Sequence, residues 1–151
     1  MKYLSNNYVN ISEYQKTKYN KILNIVLKLC STFQIVEAYG DLEVDKLEIF
    51  HDLIQVKRSN KWPGTISEGA KEYIYSFEIT QNTEKFLSKY NSFFIIDKLC
   101  ISTNAFDDQS DYSFFEKGTD ECLLFTITHE GEVFLREDIY NIYFLEENNQ
   151  D

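Results

Sequence analysis

Between Tyr19 and Phe33 the apolar residues recur every three or four positions, and from Tyr73 onward they recur every second position. A helix places residues three and four apart on one face, whereas a strand sends alternate residues to opposite faces. A chain with one helical stripe followed by several alternating runs must dock that stripe on a sheet, because neither surface can stay in water alone. The stripe is Tyr19, Ile22, Leu23, Val26, Leu29, Cys30 and Phe33, and Lys16, Lys21 and Lys28 fall largely outside it. Ser12 stands before it as a helix cap, with Gln15 three residues on to complete a capping box, so the helix is expected to begin near Ser12.

Downstream, Leu42 with Val44 and Leu47 with Ile49 alternate with acids and read as extended chain. Trp62-Pro63-Gly64 sets a turn. Tyr73, Tyr75, Phe77 and Ile79 form a strand with an aromatic face, and Asn82 or Thr83 caps a short helix through Phe86, Leu87 and Tyr90. The continuous apolar run from Phe93 to Ile96 suits a central strand, and Asn104 to Ser110 reads as an acidic loop. Cys122–Thr128 and Val133–Leu135 pair as a hairpin across Glu130-Gly131, where glycine takes a positive φ cheaply. Ile139, Ile142 and Tyr143 close the chain as a short helix or an edge strand. The expected architecture is α+β: one antiparallel-rich mixed sheet of about five or six strands, packed by a long N-terminal helix and one or two short helices. It forms a single domain over residues 1–151, with the tail after Leu145 expected to fray.

Hydrophobic content of 43% and aromatic content of 16% belong to a folded body, so the net charge of −10 sits on a structured surface. That charge is unevenly spread. Residues 1–36 carry five lysines against Glu13, residues 37–98 carry eleven acids against eight bases, and residues 99–151 carry thirteen acids against Lys117 and Arg136. Such a field repels nucleic acid and anionic membranes and steers basic partners inward. No apolar run approaches the ~20 residues that span a bilayer. With no leader after Met1, the sequence reads as cytoplasmic, and Cys30, Cys100 and Cys122, odd in number and set in apolar runs, are expected to be reduced thiols.

Motifs that carry chemistry are missing. His51-Asp52 and His129-Glu130 have the composition of acid–base pairs, but adjacent residues on a strand point apart, and no catalytic role is assigned to them. No Cys or His spacing suits a metal, and Asp107-Asp108-x-x-Asp111 lacks the glycine and terminal Glu of a calcium loop. The five glycines are isolated, so no phosphate cradle is expected, and neither a cofactor nor a metal is assigned. Lys57, Arg58 and Lys61 beside Trp62 are too small a footprint for nucleic acid on so acidic a chain. A solvated loop with Trp62 packed beneath it is the expectation.

What remains is the acid itself. Asp107, Asp108, Asp111, Glu116, Asp120 and Glu121 lie within fifteen residues, interleaved with Tyr112, Phe114 and Phe115. One reading is a polar loop followed by a strand whose aromatics face inward. The other is a binding surface, with Tyr112 and Phe114 as anchors and the carboxylates meeting a basic partner. A second acidic group comprises Glu37, Asp41, Glu43, Asp45, Glu48 and Asp52.

In this whole-chain character the sequence resembles the immunity proteins of bacteria, which neutralise toxins delivered in contact-dependent growth inhibition and related polymorphic-toxin systems. Those proteins are small, cytoplasmic, acidic, rich in Phe and Tyr, and free of catalytic motifs. The resemblance implies a protein-binding inhibitor without enzymatic activity, covering with an acidic surface the active site of a cognate toxin such as a basic nuclease. The alternatives are a phage or plasmid anti-defence protein that imitates nucleic-acid phosphates, and a small enzyme without a recognisable motif.

Overall fold

The computed structural model describes residues 7–37, 43–69, 71–94 and 110–145. Among them the chain is α+β, built on a seven-stranded sheet of order β1-β9-β8-β7-β2-β6-β3. Its strands are β1 (Tyr8–Asn10), β2 (Cys30–Glu37), β3 (Leu53–Ser59), β6 (Glu72–Glu78), β7 (Asp111–Glu116), β8 (Cys122–Ile127) and β9 (Glu132–Arg136). Each neighbouring pair is antiparallel, so the sheet is larger than expected and has no parallel component. A separate small hairpin, β4 (Lys61–Trp62) and β5 (Thr65–Ile66), turns at Pro63-Gly64.

The expected helix is α1 (Gln15–Leu29), but strand β1 precedes it, its geometry breaks at Lys18, and Cys30 and Phe33, read as the end of its stripe, belong to strand β2. The capping box at Ser12 does not form. Tyr14 occupies the cap position without a side-chain bond, and Ser12 Oγ instead accepts from Val133 N and donates to Asn10 Oδ1. Gln15 turns inward, where its Oε1 accepts from Ser92 Oγ at 3.2 Å and from Phe93 N at 3.1 Å. The helix stays put by packing: Tyr19, Ile22, Leu23 and Val26 bury against the sheet, each aliphatic side chain contributing about 1.5–3 kcal/mol. Tyr19 also donates its hydroxyl to the Leu87 carbonyl at 2.7 Å, tying α1 to α2 (Gln81–Leu87).

Helix α2 is capped by Thr80, two residues before Asn82 and three before Thr83. Thr80 Oγ1 accepts from Asn82 N, while Thr83 Oγ1 accepts from Thr80 N. Residues 44–52, read as extended chain, form two 3₁₀ turns that bury Leu47 and Ile49. Residues 91–94 are a bend with Phe93 wholly buried, and the rest of the Phe93–Ile96 run lies outside the described residues. The β8–β9 hairpin forms as read, with Gly131 at φ +67°. The last element is the short helix α3 (Glu137–Tyr143).

Helices cover one face of the sheet, where Phe33, Phe77, Tyr112, Phe114 and Leu135 meet Phe86, Phe93 and Phe144. The other face carries the β4–β5 hairpin. Trp62 packs there with Val36 and Ile74 and donates Nε1–H to Asp111 at 2.8 Å. Gly64, at φ +84°, approaches Phe125 so closely that an added Cβ would lie 2.3 Å from the ring. Lys57 and Arg58, read as a loop, lie in edge strand β3, where charge and a bulge near Leu53 discourage edge-to-edge pairing.

Candidate functional site

The turn between β7 and β8 is short and tightly bonded. Gly118 (φ +82°) and Asp120 (φ +57°) both take left-handed backbone, which glycine and aspartate tolerate better than most residues. Glu116 N donates to Glu121 O at 2.8 Å, and Asp120 N to Glu116 O at 3.2 Å. Thr119 Oγ1 donates to Glu116 Oε1 at 3.0 Å and accepts from Glu121 N at 3.2 Å. The turn is held to the helix layer by Lys117 N, which donates to Leu29 O.

Next to this turn β9 ends in Arg136, which is only 8% exposed. Its guanidinium is gripped from two sides. Nε and Nη2 donate to the two oxygens of Asp138 at 2.7 and 3.0 Å, and Nη1 and Nη2 donate to the two oxygens of Glu116 at 3.1 and 3.2 Å. A longer bond of 3.4 Å reaches Glu121 Oε2. Two bidentate carboxylates match the planar fork of arginine, a geometry lysine does not offer. Hydrogen bonds from Arg136 hold the Glu116 and Asp138 carboxyls below the usual carboxylate range.

Arg136 bonds Glu116, Glu121 and Asp138, while Asp120 stands on the turn and Glu137 opens α3 (Glu137–Tyr143); with Lys117 and Arg136 these five carboxylates give a local charge of −3. Asp120, Glu121 and Glu137 are exposed and present their charge outward from a pre-ordered turn and a helix start. Glu121, Glu137 and Asp138 share with Asn7 and Arg136 a shallow hollow of about 330 Å³. The arrangement suits recognition of a cationic surface: acids at fixed positions, around a guanidinium that keeps them from scattering.

Of the residues singled out by sequence, the fold brings Glu116, Asp120 and Glu121 together on this crest. Asp107 and Asp108 lie outside the described residues. Tyr112 and Phe114 are fully buried against Phe33, so in this fold their rings are core and not anchors for a partner. Asp111 is buried too. It accepts from Trp62 Nε1 and Thr128 N, both at 2.8 Å, and burial pushes its carboxyl above the usual range despite those bonds. Its task is to clamp the hairpin to the sheet.

The second acidic group does not gather into a comparable surface among the described residues. Glu37 is buried and accepts from the Tyr75 hydroxyl at 2.8 Å. Glu43 pairs with Lys46 at 2.6 Å, Glu48 pairs with Lys89, and Asp52 accepts from Thr80 Oγ1 and Asn82 Nδ2 at the start of α2. Asp41 lies outside the described residues, and Asp45 is exposed.

Both histidines sit in 3₁₀ turns and not on strands, so the opposite-face argument does not apply to them. His129 Nε2 comes within 3.7 Å of Glu130 Oε1, with both side chains more than half exposed. Among the described residues no three His, Cys, Asp or Glu side chains group to hold a metal ion, and no helix is long and apolar enough to cross a membrane.

Arg136, Glu137 and Asp138 were not legible as part of the site. The available signal was Arg136 itself, the lone arginine in a stretch of thirteen acids, since an isolated guanidinium among carboxylates finds partners when the chain folds. No protein-family model, curated protein or solved structure matches this chain.

Proposed function

We propose that this chain is a protein-binding inhibitor of the immunity-protein type. It has no catalysis of its own, acts in the cytoplasm, and neutralises a cognate bacterial toxin by laying an acidic surface over a basic active site. The observation that carries this reading is the crest of Glu116, Asp120, Glu121, Glu137 and Asp138, fixed by Arg136 and a bonded turn. Carboxylates held in advance lose little freedom on binding, so more of their interaction energy reaches the complex. Their field also speeds encounter with a basic partner.

The crest explains how an acidic chain presents specificity without Tyr112 and Phe114 at its surface: position comes from the turn and charge from its tip. The test is capture of a partner by the tagged chain from cells that carry its neighbouring genes, followed by charge changes at exposed crest positions. Asp120→Asn, Glu121→Gln and Glu137→Lys are the suitable set, because asparagine accepts the left-handed backbone of Asp120 and the bidentate partners of Arg136 stay intact. Loss of the partner with an unchanged unfolding temperature supports the reading, and retention sinks it.

A further inference from the structure

Among the described residues the hairpin leaves part of the outer sheet face open, and the register there lines up uncharged polar side chains. Gln55 stands opposite Ser76, and Ser76 opposite Gln34, across strands β3, β6 and β2. With Thr32 they floor a groove of about 540 Å³, in which Gln34 Nε2 donates to Ser76 Oγ at 3.0 Å. That volume falls within the range of ligand-binding clefts. Phe115 supplies an apolar wall, and the two ends are oppositely charged, with Lys57 on β3 and Asp120 on the β7–β8 turn.

Three strand spacings of roughly 4.8 Å separate β3 from β7, about 14 Å. Lys57, level with Ile74 and Val36, lies four residues along the strands from the level of Thr32 and Phe115, about 13 Å more, so the charged ends are about 19 Å apart on the diagonal. An extended chain covers that distance in about six residues, at roughly 3.3 Å each. Amide and hydroxyl side chains both donate and accept, as a peptide backbone requires of a surface it crosses. Asp120 also belongs to the acidic crest, so the groove continues that surface toward β3.

We propose that this groove docks an extended, polar segment of the protein partner, laid obliquely across the strands, with a basic residue at Asp120 and an acidic residue about six positions away at Lys57. This rests on the inhibitor reading for the identity of the partner, while the groove's chemistry can be probed without it. The probe is the capped peptide acetyl-Lys-Ser-Gln-Ser-Gln-Ser-Glu-amide, titrated into isotopically labelled protein and followed by amide chemical shifts.

Saturable shifts at Thr32, Gln34, Gln55 and Ser76 are expected. They should weaken about fivefold, the scale of one exposed ion pair, in Lys57→Gln and in Asp120→Asn, and in a peptide with its charges adjacent. Gln55→Trp, at an exposed position, should fill the groove and abolish them while the unfolding temperature stays unchanged. Absence of saturation, equal binding of the adjacent-charge peptide, retained binding in Gln55→Trp, or the same shifts with the neutral sugar maltose would overturn the proposal. Partner capture that survives such a failure leaves the inhibitor reading standing. Peptide binding that persists when crest changes leave capture intact would sink that reading and spare the groove.

Discussion

Replacing Gly64 with alanine probes the contact that seats the β4–β5 hairpin on the sheet. Two costs add at this position. The backbone is at φ +84°, where an L-residue loses about 1–2 kcal/mol relative to glycine. The new methyl would also lie 2.3 and 2.6 Å from Phe125 Cε2 and Cδ2, far inside van der Waals contact, and overpacking of that kind costs about 1–3 kcal/mol. The sum is about 2–5 kcal/mol. Gly131 is the internal control: its φ is +67°, and an added Cβ meets nothing within 4 Å, so Gly131→Ala should cost only the backbone part, about 1–2 kcal/mol. Urea unfolding separates the two. At an m-value of about 2 kcal/mol/M, a 3 kcal/mol loss moves the midpoint by roughly 1.5 M. The steric part has its own test in a double-mutant cycle. In a Phe125→Leu background the ring edge is withdrawn, and the Gly64→Ala penalty should fall toward that of Gly131→Ala, a coupling of about 1–2 kcal/mol. Equal penalties at Gly64 and Gly131, or a Gly64 penalty indifferent to Phe125, would refute the placement of the hairpin.

Three further outcomes follow from buried or bonded groups. Arg136→Ala should destabilise by about 2–3 kcal/mol in thermal or urea unfolding, less than for a fully buried pair because Glu116 and Asp138 remain 25% and 57% exposed and can rehydrate. Arg136 lowers both carboxyls, so their stabilisation is present above the ordinary carboxylate pKa of about 4 and is lost as pH falls through the lowered values. The gap between wild type and Arg136→Ala should therefore close in acid. Asp111 has the opposite sign: its raised carboxyl makes the wild type lose stability relative to Asp111→Asn as pH rises from about 4 through the raised value, which paired pH–stability curves would show. Cys30 and Cys122 are buried free thiols, with Cys30 pushed up to about 12, so iodoacetamide at pH 8 should modify neither until the protein is denatured.

What the sequence revealed and what it withheld divide along the range of the forces involved. The α1 stripe from Tyr19 to Leu29, strand β6 and the β8–β9 hairpin depend on periodicity and a turn glycine, which are local and readable, whereas the same period runs on through Cys30 and Phe33, which the fold places in β2. Ser12 and Gln15 have the right spacing for a cap, but Val133 N, Ser92 Oγ and Phe93 N, distant in sequence, claim their side chains. Residues 44–52 alternate like strands, yet the fold needs only Leu47 and Ile49 inside, and two 3₁₀ turns deliver them. For the site, the acids were visible as composition. Their grouping was not, because Glu116 and Asp138 meet only through Arg136, and no local pattern announces a bond spanning twenty residues. Tyr112 and Phe114 share a strand with Asp111 and Ser113, and alternation alone leaves open which face meets the helices.

The most direct test of the crest as the binding surface is the association rate with the captured partner, measured at low and at physiological salt for wild type and for Asp120→Asn/Glu121→Gln/Glu137→Lys. The changes turn the local charge from −3 to +1 by neutralising two acids and reversing one. Association should slow by about tenfold or more at low salt, the difference should narrow as salt screens the field, and dissociation should change less. Equal association rates for wild type and variant at both salt concentrations would contradict the account.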